Sequence, residues 1–284
     1  MQTILKSRTK TVKITSDGPF TLIGEKINPT GRKKLAAALQ EGNLDYVREL
    51  ARKQIEGGAD VLDVNVGVPG IDDVSLLPKV VEMLVSEFDI PLCIDTPNPI
   101  ALAAALKVNP GRVLVNSVNG EEASMRAVLP LVKEYGAAVI GLVMDENGIP
   151  NDPAVRVKIA GKILERAAKA GIPSEDVVID VLVLTVGADS AAGAVTLKTI
   201  EMVRKEFGVN INLGASNVSF GLPERDTINQ AFLAVAIGAG ATCAITDPTK
   251  YTLSIRAVDL LLGRDAYAGR YIKYFRTHPP VEPK

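Results

Sequence analysis

Short apolar runs alternate with helical stripes eight times along the chain. The runs open near Phe20, Asp60, Pro91, Arg112, Ala137, Asp176, Asn210 and Thr242. Between them, apolar residues recur at three- and four-residue spacing, which is the period of a helix with one buried face. Val47, Leu50, Ala51 and Ile55 form such a stripe between Leu44 and Glu56. Leu197, Ile200, Val203 and Phe207 form another between Ala194 and Phe207. Glycines stand where helices should end, at Gly57-Gly58, Gly136, Gly171, Gly208 and Gly263. Strand-helix alternation implies parallel strands joined by helical crossovers. Eight units predict an α/β protein built as a closed (β/α)8 TIM barrel, a single domain over residues 20–275. The alternative is an open doubly wound sheet. No G-x-G-x-x-G follows the first strand, which weakens a dinucleotide-binding reading.

Residues 1–19 precede the first barrel strand. Val12 and Ile14 alternate there with Thr11, Lys13 and Thr15, so a short strand or hairpin is expected at the bottom of the barrel. Residues 276–284 are polar and proline-rich and are expected to be an extended or disordered tail.

Composition narrows the functional classes. Of 284 residues, 47% are apolar, enough for one large core. Basic and acidic residues number 32 and 33, for a net charge of −1, so no basic footprint for nucleic acid is present. No apolar stretch approaches the ~20 residues of a membrane span. The first residues, Met1 to Arg8, lack the apolar region of a secretory signal, and a cytoplasmic protein is expected. The two cysteines, Cys93 and Cys243, lie in strand-like runs and read as buried free thiols. The single histidine, His278, lies beside Pro279-Pro280 in the tail, which disfavours Ser-His-Asp and Cys-His mechanisms. No set of metal ligands is visible, so no bound metal is expected.

Polar residues at the ends of the apolar runs are the candidates for chemistry. Asp95 ends Leu92-Cys93-Ile94, Asn116 ends Val113-Leu114-Val115, Asp180 ends Val177-Val178-Ile179, and Asn217 follows Ile211-Asn212-Leu213-Gly214. In a parallel barrel those ends converge on one mouth, where active sites sit. Each has a plain structural alternative. Asp95 could cap the next helix, Asp180 could sit in a buried ion pair, and Asn217 could only shape a turn. Asn119 is a better helix cap than Asn116, which leaves Asn116 to face the mouth. Gly214 and Ser216 belong to a loop of small residues that can approach a ligand closely. Glu25 and Asn28, in Gly24-Glu25-Lys26-Ile27-Asn28, and Asp63 and Asn65, in Asp63-Val64-Asn65-Val66-Gly67, add polar groups at two more strand ends. The pattern predicts a pocket lined with hydrogen-bonding groups and nearly free of cations, suited to a neutral, polar, nitrogen-rich ring. Asp247, after the last strand, would repel an anion there.

At these residues, from about Phe20 to Arg276, the chain resembles the pterin-binding methyltransferases, a group that includes dihydropteroate synthase and the folate module of methionine synthase. It is most similar to the stand-alone methyltetrahydrofolate:corrinoid protein methyltransferases. The resemblance implies a transferase that moves a methyl group between cobalamin on a partner protein and N5 of tetrahydrofolate, with 5-methyltetrahydrofolate as product in the favoured direction. It implies that Asp95, Asn116 and Asp180 bond the pterin ring, that Asn217 reaches the N5 region, and that the protein is a homodimer. Asp180 and Asn217 are then the catalytic candidates. The alternatives are the reverse reaction with a corrinoid iron-sulfur protein, a dihydropteroate synthase, and a non-catalytic folate-binding scaffold. Two departures stand out. Val181 follows Asp180 where many relatives carry proline, and Thr246-Asp247-Pro248 stands where dihydropteroate synthases carry a basic pair.

Overall fold

Eight parallel strands form one sheet in the computed structural model, which describes residues 1–278. They are β3 (Thr21–Ile27), β4 (Val61–Val64), β5 (Leu92–Asp95), β6 (Leu114–Asn119), β7 (Ala138–Leu142), β8 (Val177–Asp180), β9 (Ile211–Asn212) and β10 (Cys243–Thr246). β10 pairs back onto β3 in register, Cys243 opposite Thr21. The remaining seam, between β9 and β10, is joined by backbone bonds: Thr242 N–H donates to Ile211 O at 3.0 Å, and Ile245 N–H to Leu213 O at 2.8 Å. The sheet is therefore a barrel with no free edge. Strand starts fall within two residues of those expected from the apolar runs.

The strands read as continuous apolar runs because both faces are buried, yet side chains still alternate with a period of two. Leu22, Leu62, Ile94, Val115, Val177 and Ile179 point outward and pack under the helices. Ile23, Val61, Cys93, Leu114, Ile140, Val178 and Cys243 point inward and fill the barrel. Two residues further along each strand, the next inward position carries Glu25, Asp63, Asp95, Asn116, Leu142, Asp180 and Ile245 in turn. The polar mouth is thus the layer directly above an apolar one, set by strand register alone.

The opposite end is closed by an antiparallel hairpin, β1 (Gln2–Lys6) with β2 (Thr11–Thr15). Its Leu5, Val12 and Ile14 join the apolar layer inside the barrel. Asn210 Nδ2 donates to Thr3 Oγ1 and to Ile14 O, both at 2.9 Å, and Lys6 exchanges two backbone bonds with Arg112.

Helices wrap the barrel. α1 (Lys33–Gln40) and α2 (Asp45–Glu56) follow β3, and α3 (Asp73–Glu87), α4 (Pro99–Val108), α5 (Glu122–Glu134), α6 (Pro153–Lys169), α7 (Ala192–Phe207), α8 (Arg225–Ala239) and α9 (Pro248–Leu261) follow one strand each. α10 (Gly269–Thr277) packs on α9. The segment expected to be an extended or disordered tail is helical where it begins. Residues 276 and 277 are helical, and the rest of that segment beyond His278 lies outside the described residues. His278 stacks on Tyr274, ring centroids 4.2 Å apart, and its Nε2 lies 2.6 Å from Glu56 O at the end of α2. That contact is at the barrel's bottom, away from the polar mouth. Among the described residues, no helix is long and apolar enough to cross a membrane.

Candidate active site

The polar layer opens into a cavity of about 580 Å³. Glu25, Asn28, Asp63, Asp95, Asn116, Gly214, Ser216 and Asn217 all line it. Asp95 is released for this position because Asn98, not Asp95, caps α4: Asn98 Oδ1 accepts the Ile100 N–H at 3.0 Å, with Pro99 in the first turn. Asn65 Nδ2 donates to Asp95 Oδ2 at 2.9 Å, and Asn28 Nδ2 approaches the same oxygen at 3.5 Å. The other carboxylate oxygen has no hydrogen-bond partner among the described residues.

Asn116 reaches across a strand to Asp63, Nδ2 to Oδ1 3.2 Å. Asp63 is almost wholly buried. Burial, and then the neighbouring Asp95 charge, raise its carboxyl well above the ordinary carboxylate range. Asp95 is raised too, chiefly by burial, against a lowering bond from Asn65. The Cys93 thiol, on the strand next to Asp63, is itself pushed up, first by burial and then by the Asp63 charge. Two carboxyls this close resist ionising together. Asn119, the expected cap, instead bonds the Glu121 N–H at 2.9 Å and lines a second cavity of about 490 Å³ that shares Asp95 and Asn116 with the first.

Asp180 is buried behind the cavity rather than lining it, as is the half-buried Asn65. Its Oδ2 accepts from Asn212 Nδ2 at 2.7 Å and its Oδ1 from the Leu182 N–H at 2.8 Å. Burial pushes it up to about 6, offset in part by those two bonds and by Arg156. No ion pair forms between them among the described residues. Arg156 spends its donors on the carbonyls of Pro150, Val181 and Leu182 at 2.7–2.8 Å, which holds the loop after β8 in a shape that needs no proline. Asn212 fixes the Asp180 carboxylate, and its importance was not apparent from the sequence. The period of two could have flagged it, since it stands two residues above the inward Asn210.

Asn217 sits in a single 3-10 turn, Ala215–Ser219. Its backbone N–H bonds Gly214 O at 3.2 Å, but its exposed side chain has no hydrogen-bond partner among the described residues. The turn is gripped on both sides. Ser216 Oγ donates to Glu25 Oε2 at 2.6 Å, and Arg225 donates from Nη2 to Ser216 O at 2.8 Å and from Nε to Ser219 Oγ at 3.0 Å.

Two expectations need correction. The pocket is not nearly free of cations, since Arg32 and Arg225 line it. Both come from helix starts after the strand ends, where run-end motifs do not reach. Nor is Asp247 a free anion: its Oδ2 lies 2.6 Å from Lys26 Nζ and its Oδ1 caps α9 through the Thr249 N–H.

A model of the pterin binding enzyme family matches residues 24–247. The chain belongs to that family. It is 32% identical over 263 residues to the methylcorrinoid:tetrahydrofolate methyltransferase of Eubacterium limosum, covering 90% of this chain and 96% of that one. It is 29% identical over 252 residues to methionine synthase of Mycobacterium tuberculosis, of which it spans only 21%. The dihydropteroate synthase of Yersinia pestis with a pterine-sulfa conjugate superposes with a TM-score of 0.72 at 19% identity, over 92% of this chain and 98% of that one, which is a likeness of fold. The matched range contains the layer of carboxyls and amides described above, from Glu25 to Asn217. Among the described residues, no group of three or more His, Cys, Asp and Glu could hold a metal ion.

Proposed function

We propose that the protein is a methyltransferase that moves a methyl group from a methylated corrinoid on a partner protein to N5 of tetrahydrofolate, giving 5-methyltetrahydrofolate. The observation that carries the reading is the two-tier mouth: buried carboxyls bonded by Asn65, Asn116 and Asn212, below an unbonded Asn217 on a braced turn. The lower tier suits a ring that must be held still. The upper tier suits a group that bonds only as charge develops.

In this reading Asp95 and Asn116 fix the pterin edge from the cavity wall, Asp180 offers it from behind that wall the lone pairs that Asn212 and the Leu182 N–H leave free, and Asn65, Asn28 and Asn212 hold those residues in place. Asp63 contributes its acceptors from below. In-line transfer to the N5 lone pair would leave the methyl group's bonding electrons with the cobalt of the partner's corrinoid, and N5 would release its proton to water at the open mouth. Asn217 stabilises the charge that N5 carries midway. The remaining work is positioning of two bound reactants. The barrel interior is filled by the apolar layer and the hairpin, which fits supply of the corrinoid by a partner protein.

A homodimer fits the exposed apolar residues on the outer helices, Val235, Leu261 and Leu262, and sedimentation at micromolar concentration tests it. A cytoplasmic setting fits the two free thiols, Cys93 and Cys243.

The test of the activity is an anaerobic absorbance assay with methylcob(III)alamin and tetrahydrofolate. Enzyme-dependent formation of cob(I)alamin and 5-methyltetrahydrofolate is expected. Formation of dihydropteroate from p-aminobenzoate and a pterin pyrophosphate, with no methyl transfer to tetrahydrofolate even from the methylated corrinoid protein, would overturn the reading.

A further inference from the structure

The largest fully buried side chain among the described residues is a cation, Arg156 in the first turn of α6. Its Nε donates to Pro150 O at 2.7 Å, and its Nη1 to Val181 O at 2.7 Å and Leu182 O at 2.8 Å. Pro150 lies in the loop after β7, and Val181 and Leu182 in the loop after β8. One guanidinium therefore ties two neighbouring loops of the mouth together, from outside both cavities. A buried cation is costly when no carboxylate pairs with it, and neutral donors or water could satisfy three carbonyls. Loop packing alone does not account for a charge here.

The account lies at Leu182. Its φ is +58°, in the left-handed region that is unfavourable for any residue with a Cβ. That shape turns the Leu182 N–H back onto Asp180 Oδ1 at 2.8 Å, an Asx turn. It also turns the Leu182 carbonyl towards Arg156 and, at 3.4 Å, towards Thr196 Oγ1 of α7. The main chain of Asp180 is pinned separately, since its carbonyl accepts the Val143 N–H at 3.2 Å. What Leu182 controls is the direction of the side chain. Around Asp180 stand Leu142 on β7, Asn212 on β9, Cys243 on β10 and Arg156 on α6. The Cys243 thiol is raised by burial and then by the Asp180 charge, so it stays neutral. Burial disfavours the Asp180 carboxylate most, and the Leu182 N–H, Asn212 and Arg156 each favour it.

We infer that Arg156 is a positioning residue: by tying the loops after β7 and β8 together it holds Leu182 in its left-handed shape and so aims the Asp180 carboxylate at the pterin edge. The inference rests on the role given to Asp180 above and adds the side chain, remote from the ring, on which that role depends. Arg156 touches no substrate. Its fork sets the direction of the carboxylate, and its charge favours the ionised form.

The test separates those two contributions in the full chain. Arg156→Gln removes the charge and the fork, and Arg156→Lys keeps the charge alone, since one ammonium cannot span three carbonyls in two loops. Carboxyl-carbon NMR of the ligand-free protein follows the Asp180 titration, identified by its loss in Asp180→Ala. Loss of the cation and loss of the Leu182 bond both push the midpoint up. It should rise by about one pH unit in Arg156→Gln and roughly half as far in Arg156→Lys. Calorimetric titration with tetrahydrofolate, at a pH above all the midpoints, completes a double-mutant cycle. Each Arg156 variant should bind roughly tenfold more weakly when Asp180 is present, and within about twofold of its parent in the Asp180→Ala background. If Arg156→Gln does not fold, Arg156→Lys decides by both measurements. Equal losses in the two backgrounds, or an Asp180 midpoint unmoved in Arg156→Lys, would overturn the positioning role while tetrahydrofolate binding leaves the folate reading intact. No tetrahydrofolate binding by the unsubstituted protein would sink the folate reading and the inference with it.

Discussion

Ser216 and Glu25 meet across the barrel mouth, Oγ to Oε2 2.6 Å, tying the loop after β9 to the end of β3. The bond carries no part of the chemistry itself. It fixes the turn that presents Asn217, whose side chain is otherwise unrestrained by hydrogen bonds among the described residues.

Removing that tie should loosen the turn more than the pocket. Ser216→Ala is expected to lower kcat about tenfold, as for a small misplacement of a reacting group, with the KM for tetrahydrofolate within about threefold. Ser216→Thr keeps the hydroxyl and should restore most of the rate. Steady-state kinetics on the three proteins decides it, and loss of KM with kcat intact would place Ser216 in ground-state binding instead.

Asn217→Ala removes the group held above the ring. Folate affinity is expected to stay within roughly tenfold, while methyl transfer slows by about 10²-fold or more, the size seen when a transition-state donor is lost. Single-turnover rates set against equilibrium binding separate the two. Equal losses would mean that Asn217 acts on bound substrate rather than on the transition state.

Asp180 sets a pH dependence of definite sign. Its carboxyl is pushed up to about 6 by burial, so the folded chain holds this proton more tightly than the unfolded chain does. The resulting stability is complete below the ordinary carboxylate value near 4 and is lost as pH rises through about 6. Pterin binding runs the other way, because a ring N–H needs the ionised acceptor, so affinity should rise over the same interval. Asp63 and Asp95 are also raised, and the measure is therefore the difference between the protein and its Asp180→Asn variant. Thermal unfolding and ligand titration at several pH values between 4 and 7 should both flatten in the variant.

Gly24 is required by close packing. A Cβ there would stand 2.5 Å from Gln54 Oε1, which accepts the Lys26 N–H at 2.8 Å. Gly24→Ala forces that buried amide away and should destabilise the fold by about 1–3 kcal/mol, the usual range for overpacking. Denaturant unfolding measures it. A change below about 0.5 kcal/mol would mean that Gln54 moves aside freely.

The alternation of apolar runs with helical stripes was enough to give the barrel, because a strand buried on both faces and a helix buried on one leave distinct periods in the chain. It also placed Asp63, Asp95, Asn116 and Glu25 at the mouth, since each ends its run in the inward register. Register is local, so it can be read along a single strand. What only the tertiary structure decided lies between elements. Arg32 and Arg225 come to the cavity from helix starts, and no single strand records that they meet Glu25 and Ser216. Asp180 ends its run as Asp95 does, but Asn212 on the neighbouring strand and Leu182 beyond it draw its carboxylate behind the cavity. Asp247 carries a charge that looks free in the chain and is paired with Lys26 in the fold. The chain by itself therefore fixed which residues face inward. Only the closed barrel fixed which of them touch, because contacts between strand ends depend on loops whose shape no period encodes.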